Sequence, residues 1–251
     1  MHCKKAGTQT VCALQPTGGF RAAQKGIAMK TMLQTVVAAG LLVTGGAAYA
    51  GDLTSTVTLT SDYDFRGITQ TAEDPALQAS LDYSFGNGFS LGAWGSNVDF
   101  GSGTDSNVEV DLYGAYSKSY DSGFNWTAGF TEYTYHPGGD NIDTLELFVG
   151  AGYKNFSAKY WYSDDFSNSG LSAYYLEANY TQPLPKDFAL ALHAAKSGGD
   201  YWKAAGAQYE DYAISLSKPV GKFTASLKYA FSETYSDRII FSVATTFPWK
   251  D

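Results

Sequence analysis

Only two histidines follow residue 50 of this 251-residue chain, and histidine is the side chain best suited to proton transfer near neutral pH. His193 has the parity of an inward-facing strand residue, and His136 is expected in a loop. Hydrolases pair a histidine with serine or aspartate, but neither histidine has such a partner at a readable spacing. We therefore expect a structural role for both histidines and no enzymatic activity.

Two acidic pairs lie in segments expected to be loops, and carboxylate oxygens of this kind can hold Ca²⁺. They are Asp164 with Asp165 and Asp140 with Asp143. Neither pair has the spacing of a calcium-binding loop, so we interpret them as solvated loop residues. The sequence also contains no phosphate-binding glycine loop and no zinc pattern, and we expect no metal and no cofactor.

Charged residues recur at alternate positions of several segments, and this spacing places them on one face of a strand. Eight acids, four bases and one histidine share the inward parity: Asp62, Asp64, Arg66, Asp82, Glu109, Asp111, Glu146, Lys159, Glu177, His193, Asp211, Lys228 and Arg238. Such an acidic excess favours cations. Two interpretations remain open, a cation-preferring pore lined by these residues and an internally salt-bridged plug.

The positions of four of these charges predict a local cluster. Asp62, Asp64 and Arg66 have the same parity in one segment, and Asp82 has the inward parity of the next segment. A guanidinium among carboxylates makes charge-assisted bonds that are often bidentate. We expect Arg66 to be held among these three acids.

The segments that carry the charges alternate between apolar and polar residues, which is the period of a β-strand. Within residues 76–85, one face carries Leu77, Ala79, Leu81, Tyr83 and Phe85, and the other carries Gln78, Ser80, Asp82 and Ser84. Polar side chains inside and aromatic side chains outside suit a barrel that is surrounded by lipid. The pattern therefore predicts an outer-membrane protein.

About twelve segments are predicted as strands, each close to the ~10 residues that a tilted membrane strand needs. They are residues 53–65, 76–85, 89–97, 107–117, 124–133, 145–153, 156–162, 173–181, 188–195, 212–217, 223–231 and 239–247. The last one carries Ile239, Phe241, Val243 and Phe247 on one face, as do the aromatic-ended final strands of such barrels.

Short and long connections alternate along the chain. Five tight turns, such as Gly86-Asn87-Gly88, alternate with six longer polar connections at about 67–75, 99–106, 135–141, 163–172, 196–210 and 232–238. Short periplasmic turns and long extracellular loops are typical of outer-membrane barrels. The sequence thus predicts an all-β, antiparallel, up-and-down transmembrane barrel, and a soluble β-sandwich is the alternative, although it does not require alternating loop lengths.

The first fifty residues have the features of a leader. Residues 29–50 combine a basic start, an apolar stretch and an Ala48-Tyr49-Ala50 ending, which predicts a cleaved signal peptide. Residues 1–28 match no targeting pattern and are interpreted as a non-native extension upstream of Met29. Residues 51–251 would then form the barrel.

Removal of this leader would change both composition and charge. Cys3 and Cys12 would be lost, so the mature chain could form no disulfide. Five bases and no acid would also be lost, which changes the formal net charge from −8 to −13, with 12 bases against 25 acids. A strongly acidic chain argues against nucleic-acid binding.

Several motifs resemble the TorF family of porin-like proteins. They are SDYDFRGITQT at residues 61–71, PALQA at 75–79, GSNVDF at 95–100, EVDLY at 109–113 and YEDY at 209–212. The likeness extends over the mature chain in the expected order. It implies an outer-membrane barrel and leaves the solute open.

The sequence therefore favours a porin-like channel in the cell outer membrane for passive diffusion of small hydrophilic solutes. A non-conducting structural or surface-binding barrel is the first alternative, and a barrel enzyme acting on envelope lipid is the second. The expected partners are outer-membrane lipid, lipopolysaccharide, the barrel-assembly machinery and small solutes. The sequence leaves the oligomeric state open.

Overall fold

The computed structural model describes residues 2–6, 9–13, 51–139 and 142–249. The predicted signal segment, residues 29–50, lies outside these ranges, as does Asp140 of the predicted acidic pair. Two short strands, His2–Ala6 and Gln9–Ala13, form an antiparallel pair in the segment interpreted as an upstream extension.

Twelve long strands, β1 to β12 in chain order, make up most of the remaining chain. They are β1 Asp52–Thr60, β2 Ala76–Ser84, β3 Phe89–Asn97, β4 Val108–Ser119, β5 Phe124–His136, β6 Thr144–Tyr153, β7 Phe156–Ser163, β8 Ala173–Pro183, β9 Ala189–Gly198, β10 Tyr209–Val220, β11 Phe223–Ser232 and β12 Arg238–Phe247.

The twelve strands form a closed antiparallel barrel. Each strand pairs with its neighbours in the sequence, and β12 closes the ring on β1, with Ser242 opposite Thr60. Closure removes the unpaired strand edges that an open sheet would expose. The predicted barrel of about twelve strands is confirmed, and the sandwich alternative is wrong.

The outer face of the barrel carries exposed apolar side chains. On β6, Leu145, Leu147 and Val149 point outward and are more than half exposed, whereas Glu146 between them is buried. In β2, Leu77 and Leu81 are exposed and Gln78 is buried, as the alternation predicts. A continuous apolar outer surface needs an apolar medium around it.

The two ends of the barrel differ in the length of their connections. One end, here the short-turn end, has tight turns such as that at Gly86 and Gly88, whose φ angles of 73° and 97° favour glycine. The other, the long-loop end, holds the remaining connections. These contain a short α-helix, α1 (Asp200–Ala205), and the 3₁₀ turns Gly101–Gly103 and Phe166–Asn168; a third 3₁₀ turn, Pro185–Asp187, is at the short-turn end. Within the described ranges, no helix has the length and apolar character to cross a membrane.

The first barrel strand is shorter than predicted. β1 ends at Thr60 and not at residue 65, so Asp62, Asp64 and Arg66 belong to the connection 61–75, which we call the inner loop. This loop turns into the barrel and forms its own small hairpin, Asp64–Phe65 paired with Ile68–Thr69. The alternation continues past Thr60 because the hairpin also has the strand period.

Candidate functional site

The inner loop is anchored inside the barrel at the tip of its hairpin. Arg66 and Gly67 have φ angles of 53° and 79°, the pair of left-handed residues that a type I′ turn requires. Gly67 packs directly on the wall, because a Cβ at this position would lie 2.7 Å from the Cβ of Asp211. The Tyr209 hydroxyl on β10 donates to the carbonyl of Arg66 at 3.0 Å. The tip is therefore fixed against β10.

The Arg66 guanidinium makes a bidentate ion pair with Glu146 on β6. Its Nη1 and Nη2 donate to the two carboxylate oxygens at 2.8 and 2.6 Å, and Glu146 is fully buried. The guanidinium also lies over the rings of Tyr175, Phe65 and Trp161, at 4.3, 4.7 and 5.5 Å from their centres. Burial alone would lower the pKa of Arg66. The neighbouring Glu146 carboxylate raises it by more, so the net pKa is above its ordinary value.

A second ion-pair network joins the inner loop to the opposite part of the wall. Arg238 on β12 donates to Asp62 and Asp64, and Lys228 on β11 donates to Asp64 at 2.8 Å. Burial raises the pKa of Asp64, but the two cations lower it more, and the net pKa is below its ordinary value. The inner loop thus supplies two acids to cations of β11 and β12, and it supplies the Arg66 cation to an acid of β6.

This pairing differs from the predicted Arg66 cluster. Arg66 binds Glu146 on a distant strand and makes no ion pair with Asp62 or Asp64. Asp82 lies closer to the short-turn end of the barrel, where it accepts hydrogen bonds from Tyr113 and Ser80. The prediction assumed that Asp62, Asp64 and Arg66 shared a barrel strand, which the inward turn of the loop rules out.

Two buried acids of β4 have no described Lys or Arg within ion-pair distance. Glu109 accepts hydrogen bonds from the hydroxyls of Tyr63 and Tyr135 at 3.3 and 3.4 Å. One carboxylate oxygen of Glu109 and one of Asp111 are buried without a hydrogen-bond partner. Both acids therefore differ from Glu146, whose carboxylate is paired with Arg66.

His193 lies in the lumen and contacts polar groups of the two adjacent strands. Its Nε2 is 3.1 Å from Asp211 and 3.0 Å from the Tyr175 hydroxyl, and its Nδ1 is 2.7 Å from Asn179. Among the described residues, no serine or cysteine side chain hydrogen-bonds to it. His136 is the exposed last residue of β5 and not a loop residue.

Lys159 and Glu177 are the predicted inward charges of β7 and β8, and they lie closer to the middle of the barrel wall. Lys159 lies over the rings of Trp161 and Phe148 at 4.7 and 4.9 Å, and Glu177 accepts a 2.9 Å hydrogen bond from the Trp161 indole. Counted along its own strand, each predicted inward charge except Asp82 lies within five residues of the strand's long-loop end.

Aromatic residues inside the barrel were not predicted. Trp161 and Tyr175 share the inward parity of Lys159 and Glu177, which was a readable signal. The sequence interpretation placed aromatic side chains on the outer face instead. An apolar cluster at the long-loop end was also missed; it contains Ile68 of the inner loop with Ala173, Tyr201, Trp202 and Tyr209.

The half of the lumen next to the short-turn end is lined differently from the half next to the long-loop end. Toward the short-turn end, inward positions carry small hydroxyl side chains such as Thr56, Ser117, Ser217 and Ser226. The inner loop and the predicted inward charges other than Asp82 occupy the other half, together with the rings of Trp161 and Tyr175. Within the described part of the chain, no three His, Cys, Asp or Glu side chains group as metal ligands.

Comparison with known proteins shows which family the chain represents. A model of the Gcw_chp family, described as bacterial proteins of unknown function, matches residues 44–248. The chain belongs to the Gcw_chp family. This finding does not support the TorF name that the motifs suggested. A search of curated proteins gives no match.

Two solved porins resemble this chain in fold. The NanC porin is 14% identical, and the alignment covers 79% of this chain and 100% of NanC with a TM-score of 0.53. The KdgM porin in complex with disordered oligogalacturonate is 10% identical, with 80% and 100% coverage and a TM-score of 0.51. At these identities the likeness shows the fold alone, which is that of a porin-like β-barrel.

Proposed function

We propose that this protein is a porin-like outer-membrane channel for small hydrophilic solutes, with a preference for cations. The observation that carries the proposal is the closed barrel with an exposed apolar outer face and a charged inner face. Contact with outer-membrane lipid and insertion by the barrel-assembly machinery are part of the same proposal. The porin fold of NanC and KdgM supports it.

The preference for cations is argued from the charge that remains after ion pairing. Arg66, Arg238 and Lys228 each bind a carboxylate, so their charges are compensated. Asp82, Glu177 and Asp211 have no Lys or Arg within ion-pair distance in the described ranges, and the inward acids outnumber the bases. Acidic side chains along a narrow lumen attract cations and repel anions. An anionic sugar chain such as the oligogalacturonate bound to KdgM therefore fits this lumen poorly.

The inner loop sets a limit on the size of the solute. It contacts β4, β6, β10, β11 and β12 through its side chains and main chain, so it extends across the lumen. We expect a small conductance and an upper size limit below that of a barrel without an inward loop. The same observation favours the second candidate function, a non-conducting barrel whose long loops bind a partner.

Liposome swelling with sized solutes separates these functions. We expect vesicles with the refolded protein to admit a small cationic solute faster than an anionic solute of the same size. The combined variant Asp82→Asn, Glu109→Gln and Asp111→Asn should reduce this ratio, because the acidic excess is smaller. A folded barrel migrates at a different position on a gel when the sample is not boiled. A variant that lacks this shift has not folded. A folded wild-type barrel that admits no solute would support the non-conducting function.

A further inference from the structure

The surroundings of Arg66 form a complete recognition site for a guanidinium group. Glu146 supplies two parallel acceptors, and Tyr175 and Trp161 supply aromatic faces within cation–π distance. We call these three residues the guanidinium pocket. They come from β6, β8 and β7, so the pocket belongs to the barrel wall, whereas its occupant comes from a loop.

The pocket is held in place independently of Arg66. The Trp161 indole donates to Glu177 at 2.9 Å, and the Tyr175 hydroxyl donates to Asp211 at 3.1 Å. Both rings therefore keep their orientation through contacts within the wall. Glu146, in contrast, is fully buried and depends on a cation for its charge, because an unpaired buried carboxylate is strongly destabilising. An empty pocket would attract another cation.

The occupant sits on a turn that does not favour it. Arg66 has a left-handed φ of 53°, a conformation that is unfavourable for a side chain with a Cβ and for which asparagine or glycine is preferred. The side-chain contacts of arginine at this position stabilise the fold, whereas its backbone conformation destabilises it. This combination indicates that the guanidinium contact determines the residue at the tip.

We propose that the guanidinium pocket binds solutes that carry a guanidinium or amidinium group, and that Arg66 occupies it as an internal competitor. When such a solute enters, the Arg66 side chain leaves Glu146, and the inner loop loses its ion pair with β6 while its tip keeps the contacts with Tyr209 and Asp211. Passage of the solute rests on the proposed channel function, whereas binding to the pocket does not.

The chemistry of the pocket distinguishes guanidinium from ammonium. The planar guanidinium places two N–H groups parallel to the two carboxylate oxygens and stacks on aromatic rings. An ammonium group is a point charge that cannot make the same paired contact and is more strongly hydrated. We therefore expect methylguanidinium to bind better than methylammonium of the same charge.

The tether of Arg66 sets the concentration that a competitor needs. A short flexible link gives an effective concentration in the millimolar range, and the fixed turn holds Arg66 closer to the pocket than such a link would, so a free guanidinium must exceed that level to displace it. Removal of the Arg66 side chain should therefore lower the required concentration at least tenfold.

The variant Arg66→Asn provides the test. It creates Asn-Gly, the preferred sequence of a type I′ turn, so the hairpin should be kept while the pocket is vacated. We expect methylguanidinium, at about ten times its dissociation constant, to raise the unfolding temperature of this variant by about 3 °C. It should also reduce the single-channel current. Methylammonium at equal ionic strength should do neither, and wild type should need the higher concentration.

Two further variants keep the test decisive. Adding Glu146→Gln to Arg66→Asn should remove the response to methylguanidinium. If Arg66→Asn does not fold, Arg66→Lys keeps a tethered cation with a poorer contact, and methylguanidinium should displace it at a lower concentration than in wild type. Equal responses to both cations, or a response that persists without Glu146, would overturn the inference. A selective temperature shift in a barrel that conducts nothing would support the pocket and contradict the channel function.

Discussion

Leu227 gives the sharpest test of which barrel face contacts lipid. It is 52% exposed on the outer face of β11, with Leu216 and Phe241 beside it on the neighbouring strands. Phe223 and Phe231 lie four residues away on either side, about 13 Å along the strand, which a tilt of about 40° reduces to about 10 Å along the barrel axis. Leu227 is therefore near the middle of the apolar band, where an arginine costs about 2–4 kcal/mol.

The matched control is the adjacent position. Ser226 points into the lumen, where its hydroxyl lies 2.8 Å from that of Ser242. We expect Leu227→Arg to lower the free energy of unfolding by about 2–4 kcal/mol and Ser226→Arg by less than ~1 kcal/mol, because the lumen-facing guanidinium remains hydrated. Urea unfolding in lipid vesicles, followed by tryptophan fluorescence, measures both. Equal losses at the two positions would refute the assignment of inner and outer faces.

Three other changes test the ion pairs and the inner loop. Arg238→Ala leaves the buried carboxylate of Asp62 without its cation and should cost about 3–5 kcal/mol in urea unfolding, whereas Lys196→Ala breaks an exposed pair and should cause no measurable loss. Gly67→Ala meets both a left-handed φ of 79° and the side chain of Asp211, so the loop should become more accessible to proteases than in wild type. Because the pKa of Asp64 is lowered in the folded barrel, its ionised form stabilises the fold above about pH 4. The stability difference between wild type and Asp64→Asn should be full at pH 7 and shrink below pH 4; a difference independent of pH would contradict this.

The barrel itself could be predicted because its signals are local. The side-chain period of Leu77 to Ser84 fixes which residues face outward, and the alternation of turn lengths fixes the topology. Neither depends on contacts between distant parts of the chain. The position of each strand in the ring then follows, because neighbours in sequence are neighbours in space.

The inner loop could not be predicted from the same signals. Asp62, Asp64 and Arg66 continue the strand alternation, so the sequence shows no boundary at Thr60. What separates them from the barrel strand is the pairing of Arg66 with Glu146, 80 residues further along the chain. Such a contact depends on the closed barrel, and parity alone can show only that both side chains face inward.

The current carried by single channels tests the central claim most directly. Refolded wild-type protein would be inserted into a planar bilayer with a KCl gradient, and the unitary steps and the reversal potential would be recorded. We expect small, discrete steps and a reversal potential of the sign that selective K⁺ flow produces, because the lumen retains an acidic excess. A barrel shown to be folded by its gel mobility that carries no current would contradict the channel function, and a reversal potential of the opposite sign would contradict the cation preference.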